Sequence, residues 1–198
     1  MSKRLLVLGA GGHGKVVREV ALSLLDIDGN PVYESVDFLD DNSVDAIGKI
    51  ADLEKYRDQY SDVFCGIGNN TVRKQLLDQA EQLGFNVPVL IHASAYISPS
   101  AVIEVGTVVE PKAIVNANTV IHRGCIISVG AIVDHDVIVN EFVHVYAGAI
   151  VKAGAKVESI RKLEAGEAVL GYGTAQYKPD EMWVKEHKKQ FGSEPSFM

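Results

Sequence analysis

The chain has 198 residues, a formal net charge of −7, 47% apolar residues and two cysteines, Cys65 and Cys125. That is enough chain for one large or two small domains with real cores. The acidic balance argues against non-specific nucleic-acid binding, which needs basic surface to displace counterions, and two cysteines imply no disulfide framework. The opening "MSKRLLVLGAGGHGK" breaks on glycines, unlike a secretory signal, and no window approaches a membrane span; a cytoplasmic protein without membrane insertion is expected.

Residues 5–8 form a short continuous apolar run, the signature of a buried parallel strand. Val16, Val17, Val20, Ala21, Leu24 and Leu25 then recur at helical spacing. Between run and helix, Gly9, Gly11 and Gly14 make a GxGxxG turn. In that order the first glycine permits the tight turn, the second lets backbone approach a pyrophosphate, and the third allows close helix–strand packing, with the helix N-terminus facing the anion. A glycine-rich turn without a ligand would look the same. "VYESVDFLDDN" reads as a second strand ending in Asp40 and Asp41, whose carboxylates are placed to accept from a ribose or base, or to serve as a solvated turn. A helix over about 51–60, a third strand in "DVFCGIGNN", a helix over 71–83 and a fourth strand in "NVPVLI" follow. Alternating elements predict a small parallel, Rossmann-like sheet over 1–88, with ligands at the strands' C-terminal ends. A dehydrogenase fits poorly, because the unit is about half of a dinucleotide fold.

From Ile91 to Val169, every sixth residue is Ile, Leu or Val, fourteen positions without exception. Four residues after each of the first eleven comes a small or β-branched residue, from Ala95 to Ala155; Arg161 and Glu167 break that second rule. Hexad repeats mean a parallel β-helix, here left-handed with three hexads per coil, over 89–174. The block obeying both rules gives a little under four coils, and the segment after Val151 reads as an early closing segment. The residues preceding the repeat aliphatics face outward. Nine of eleven, from Tyr96 to Lys156, are apolar or aromatic, so part of this surface should be covered by association into a closed ring. The tail, 175–198, suggests a short helix over 180–189 with Trp183 and Phe191 as apolar anchors.

Polar residues interrupt the register. In "AIVDHDVIV", His135 and Asp136 fall at a projecting corner of the coil. His144 takes an outward position that is otherwise almost always apolar, nine residues on, half of an eighteen-residue coil. A site using both must therefore lie between subunits. Three readings stand. His135 suits a general base near neutral pH, with a carboxylate to orient it. Alternatively His92, His122, His135 and His144 include zinc ligands of a metal-dependent hydratase, although their spacings match no strong zinc signature. Or they are corner polar residues without chemistry, the simpler reading for His92 and His122.

The stretches "GAGGHGKVV", "FLDDN", "GIGNNTVRK", "LIHASAYISPSA" and "GCIISVGAIVDHDVIVNEFVHVYAGA" resemble the hexapeptide-repeat sugar acyltransferases. Among these they look most like the bacterial UDP-4-amino-sugar N-acetyltransferases and the sialic acid O-acetyltransferases. The resemblance implies an acetyl-CoA-dependent N-acetyltransferase acting as a homotrimer on a UDP-amino sugar, without a metal. Gly11, Gly12 and His13 would lie near phosphates or sugar, Asp40 and Asp41 toward the nucleoside, and Gly68 and Asn69 in the same cleft. His135 would be the general base supported by Asp136. His144 from a neighbour would lie near the acetyl group, and backbone donors at Ala153 and Gly154 would polarise the thioester carbonyl. Direct attack leaves Cys125 without a role. Ser128 stands where the family commonly has Asn. O-acetylation of a sialic-acid-like sugar, or a non-catalytic sugar-nucleotide-binding trimer, are the alternatives.

Overall fold

The apolar run after the N-terminus forms β1 (Lys3–Leu8), with Leu5, Leu6, Val7 and Leu8 all fully buried. The structure is a computed structural model that describes residues 3–172 and 181–192. β1 pairs in parallel with β2 (Tyr33–Leu39) and β4 (Asp62–Cys65), and β3 (Ala46–Gly48) completes a sheet of order β3-β2-β1-β4. Helix α1 (Gly12–Leu22) crosses from β1 to β2, and α2 (Asn70–Gln82) follows β4. A 3₁₀ segment, Ile50–Tyr56, replaces the helix expected over 51–60. β3 is too short for its periodicity to be read from sequence.

The expected fourth strand divides. Asn86 makes one parallel bridge to Asp62, whereas Leu90–Ile91 pairs with Val108–Val109 as the first strand of the next unit. Pro88 between them has no N–H for a ladder, and its carbonyl accepts from Gly106 N at 3.0 Å.

From Leu90 onward, thirteen two-residue strands stack into three parallel sheets of four, four and five strands, the faces of a left-handed β-helix. Ile126 pairs with Val108 and with His144, so one coil is eighteen residues. The repeat aliphatics from Val109 onward and their small companions fill one continuous core. Corners keep the same period. From Gly106 to Gly166, every sixth residue has positive φ, including Lys112, Asn118, Asp136, Phe142 and Ile160. The helix also outlasts the small-residue rule. Leu163 is fully buried, and Ala168–Val169 pairs with Ile150–Val151, which makes slightly more than four coils. Arg161 and Glu167 do not enter the core; at the last coil they turn aside and pair with each other at 2.6 Å.

The outward apolar positions have three fates. Leu90, Val108 and Ile126 are fully buried in one core with Leu5, Val17 and Val20, so the N-terminal sheet and α1 cover the first face. Helix α3 (Glu181–Phe191) lies along a second face: Glu186, Lys189 and Gln190 border a cavity with Ile138 and His122, and Glu186 pairs with Lys156 at 3.8 Å. The third face, Tyr96, Ile114, Ile132, Ile150 and Ala168, carries no described helix or strand, with Tyr96 55% and Ile150 39% exposed. The chain thus covers the first face and most of the second, where Val102 of the first coil stays exposed, and the third face is the largest surface left for association among the described residues. The expected anchors Trp183 and Phe191 lie outside the residues whose side chains are described.

Arg73 ties the two units together. Fully buried on α2, it donates to the carbonyls of Gly124 at 2.7 Å, Ile67 at 3.1 Å and Phe142 at 3.2 Å, and to Asn70 Oδ1 at 2.8 Å. Asn70 in turn donates to the Ile160 and Arg161 carbonyls. Burial pulls the guanidinium down to about 10, so it stays charged at neutral pH.

Candidate active site

The glycine turn is built as its spacing requires. Gly9 has φ +99°, and a Cβ on Gly14 would collide with the Gly9 carbonyl oxygen, so this crossing admits no side chain. Gly11 and Gly12 face open space at the start of α1, and Gly68 is equally unobstructed after β4. Asp40 is occupied: its carboxylate accepts from the N–H groups of Ala10 at 2.8 Å, Asn42 and Ser43. Those bonds, Ala10 first, hold its carboxyl below the usual range. Asp40 therefore pins the glycine turn to the end of β2. Asp41 accepts from Ile50 N at 3.3 Å, and Asn69 caps α2 through Val72 N at 3.1 Å. All these residues stand around the C-terminal ends of β1, β2 and β4, where open parallel sheets bind ligands.

Where this cleft meets the β-helix, Gly12, His13, Glu110, Ser128, His144 and Tyr146 border a cavity of about 350 Å³. Glu110 Oε2 accepts from Val129 N at 2.9 Å, and its Oε1 lies 3.4 Å from His13 Nδ1. Ser128 Oγ is 3.0 Å from His144 Nε2. The two imidazoles are 6.1 Å apart. His13 Nε2 and His144 Nδ1 are both buried with no hydrogen-bond partner among the described residues. Burial, then the neighbouring His13 and Arg73 charges, pulls His144 down to about 4, so it is neutral at physiological pH. Buried, unpaired ring nitrogens beside a cavity are where a ligand would complete the hydrogen bonding. Glu110 and Tyr146 escaped the sequence reading. They stand eighteen residues either side of Ser128, so stacking by whole coils is the signal that finds them.

His135 and Asp136 occupy the corner between strands Ile132–Val133 and Ile138–Val139. Asp136 takes the left-handed conformation there, φ 56°, at a cost of about 1–2 kcal/mol relative to glycine. His135 Nδ1 lies 2.8 Å from Asp136 Oδ2. An ionised carboxylate at this distance is the partner that a proton on Nδ1 would take. Asp136 also accepts from Tyr172 OH at 2.6 Å, Asn118 Nδ2 at 3.2 Å and His187 Nε2 at 3.1 Å. Despite burial, which opposes ionisation, these donors, Tyr172 and His135 foremost, bring its carboxyl down to about 2. The Gly154 N–H donates to the His135 carbonyl at 3.0 Å, and a Cβ on Gly154 would run into the Tyr172 ring. Gly154 thus supports the dyad from the coil above, and its lack of a side chain admits Tyr172. Ala153 contributes its carbonyl, which accepts from Tyr172 N at 3.0 Å. Tyr172, His187 and Asn118 were not foreseen as partners of Asp136.

Within one chain the two groups remain separate. His144 belongs to the face opposite the His135 corner, and the third face lies between that corner and the Glu110 cavity. The other histidines are dispersed: His92 meets Ser94 and His122 meets Glu104. Among the described residues no three potential ligands converge on one point. Cys125 is fully buried, and burial pushes its thiol up to about 12, which withholds the thiolate a nucleophile needs.

A left-handed β-helix of hexads, a His–Asp dyad on one corner and a glycine-turn cleft on an adjoining parallel sheet define the hexapeptide-repeat acyltransferase class. Comparisons with known proteins agree. Residues 4–80 match the model of the PglD N-terminal domain. The acetyltransferase domain of PglB from Neisseria gonorrhoeae, solved with acetyl coenzyme A, superposes with a TM-score of 0.70 at 36% identity, covering 85% of this chain and 88% of that one. A mutant of perosamine N-acetyltransferase from Caulobacter crescentus, solved with CoA and GDP-perosamine, gives 0.73 at 25% identity, covering 84% and 88%. UDP-N-acetylbacillosamine N-acetyltransferase of Bacillus subtilis is 36% identical over 113 residues, 54% of this chain and 51% of that protein, so the match spans about half the length of that relative. The chain belongs to the hexapeptide-repeat sugar acetyltransferases, alongside the PglB acetyltransferase domain. Among its described residues no helix is long and apolar enough to cross a membrane.

Proposed function

We propose that the protein transfers an acetyl group from acetyl-CoA to the amine of a nucleotide-activated amino sugar, with a UDP-4-amino sugar as first candidate. The observation that carries this is the half-exposed His135 ring, whose Nδ1 lies 2.8 Å from the carboxylate of Asp136, which stays ionised; in the proposed mechanism that carboxylate accepts the hydrogen bond of the Nδ1 proton and leaves Nε2 as the base. The acceptor amine attacks the thioester carbonyl as His135 Nε2 takes its proton. The C–N bond forms, the C–S bond breaks, and the imidazolium returns the proton to the leaving CoA sulfur. A positioned base of this kind contributes about 10²–10⁴-fold in rate. The nucleotide sugar binds along Gly11, Gly12, Asp41, Gly68 and Asn69, with the diphosphate at the start of α1 and the sugar toward His13 and His144.

Glu110 favours an amino sugar over a sialic-acid-like acceptor. Buried with Oε1 3.4 Å from His13 Nδ1, this carboxylate disfavours a second carboxylate on the sugar and accommodates an amine. The working assembly is a closed ring of three copies. The face of Tyr96, Ile132 and Ile150 packs on a neighbour, so that His135 of one copy meets the His13–His144 cavity of the next. Acetyl-CoA binds between copies, beside Ala153 and the dyad. The enzyme works in the cytoplasm.

Incubation with acetyl-CoA and a UDP-4-amino sugar should release free CoA and yield a product heavier by one acetyl group, with His135→Ala losing turnover but not nucleotide-sugar binding. Tight binding without CoA release from any amino-sugar nucleotide would instead make the protein a sugar-nucleotide-binding module.

A further inference from the structure

The dyad has a partner from outside the β-helix. His187, on α3, is only 3% exposed and directs Nε2 at Asp136 Oδ1 from 3.1 Å. The other oxygen, Oδ2, faces His135 at 2.8 Å and Tyr172 at 2.6 Å. The carboxylate is thus fixed at both ends, with Asn118 as a second donor to Oδ1 at 3.2 Å. Aspartate has a short stem and a terminal torsion with broad preferences. Held at Oδ1 by the longer Asn118 bond alone, it would rotate more freely and present His135 Nδ1 with a shifting acceptor. The His187 bond is sheltered, and sheltered hydrogen bonds fix geometry better than ones open to solvent. Helix α3 is itself set on this face by the Glu186–Lys156 pair, next to Ile138.

We propose that His187 is a positioning residue for acetyl transfer: α3 seats it on Asp136 so that the carboxylate holds His135 in the tautomer with Nε2 free. This makes the segment after the last hexad part of the catalytic apparatus, where a terminal cap would only cover the core. The proposal rests on the acetyltransferase reading, yet the orientation it asserts can be observed without turnover.

The test uses the full-length protein with ¹⁵N-labelled histidine and the variants His187→Ala, His187→Asn and His187→Gln. A glutamine amide reaches the position of Nε2, whereas an asparagine amide falls short. In the wild type the His135 ring should show one tautomer, protonated at Nδ1. The Ala and Asn variants should show a mixture, with kcat down about tenfold and KM for the amino-sugar nucleotide within about twofold. Gln should restore both tautomer and kcat. Should His187→Ala not fold, the Asn–Gln contrast decides alone. A wild-type tautomer in Ala or Asn overturns the proposal, even if kcat falls, because the loss would then be structural. A single wild-type tautomer that loosens in Ala and Asn, in a protein that never acetylates an amino sugar, keeps His187 as the residue that orients the dyad and overturns the proposed reaction it would serve.

Discussion

His135 and His144 lie on opposite sides of one triangular coil: His135 at the corner between the second and third sheets traversed, His144 on the strand His144–Val145 of the first. A substrate touching both must bridge two copies. Mixed oligomers test this. His135→Ala and His13→Ala should each be inactive alone. Co-refolded in equal amounts, they should regain about a quarter of wild-type activity, the share of interfaces that pair an intact base with an intact cavity. Absence of any regain would place the whole reaction inside one chain.

Asp136→Asn keeps the size of the side chain and removes its charge. Its amide can present a donor to Nδ1 and favour the wrong tautomer. Turnover should fall by roughly 10²-fold or more, with little change in affinity for the nucleotide sugar. Steady-state kinetics with CoA release as the signal measures both.

His144 makes the fold acid-sensitive. Its folded value of about 4 lies below the ordinary value of 6.5, so between those limits the unfolded chain binds a proton that the folded chain refuses. Stability should fall as pH drops from about 6.5 toward about 4, by about 3 kcal/mol from this group alone, and fall no further from this cause below that. Urea unfolding at pH 7.5 and 5.0 should show the loss in the wild type and a smaller one in His144→Gln.

Arg73→Ala removes the donor to four oxygens at once, three of them in buried bonds. Roughly 3 kcal/mol or more of stability should go with it. Arg73→Lys, with a single ammonium in place of a planar fork, should recover only part. Thermal melts of the two variants give the comparison.

The β-helix was legible because its rule is local: a residue's place in the hexad decides whether it faces in or out. The same arithmetic placed Asp136 at a projecting corner and set His135 apart from His144. What covers each outward face depends on contacts across long stretches of chain. The hexad therefore showed that Val108 and Ile138 point outward but not that one lies under α1 and the other beside α3. Asp40 shows the limit for the site. Its position at a strand end suited a ribose, but its oxygens are spent on backbone N–H groups, which no sequence pattern displays. Glu110, Arg73 and His187 were missed because each acquires its meaning from a partner at least eighteen residues away.

The corners with positive φ recur every six residues from Gly106 to Gly166, and this gives the molecule a ruler. Inserting or deleting eighteen residues between strands restores every column. A change of six would preserve a well-formed β-helix yet rotate everything downstream by one face, carrying Gly154 and Tyr172 away from Asp136. Any number that is not a multiple of six breaks the core itself. The length of this region can therefore drift only in whole coils if the contacts around Asp136 are to survive, and a six-residue change separates a chain that folds from one that keeps this corner assembled.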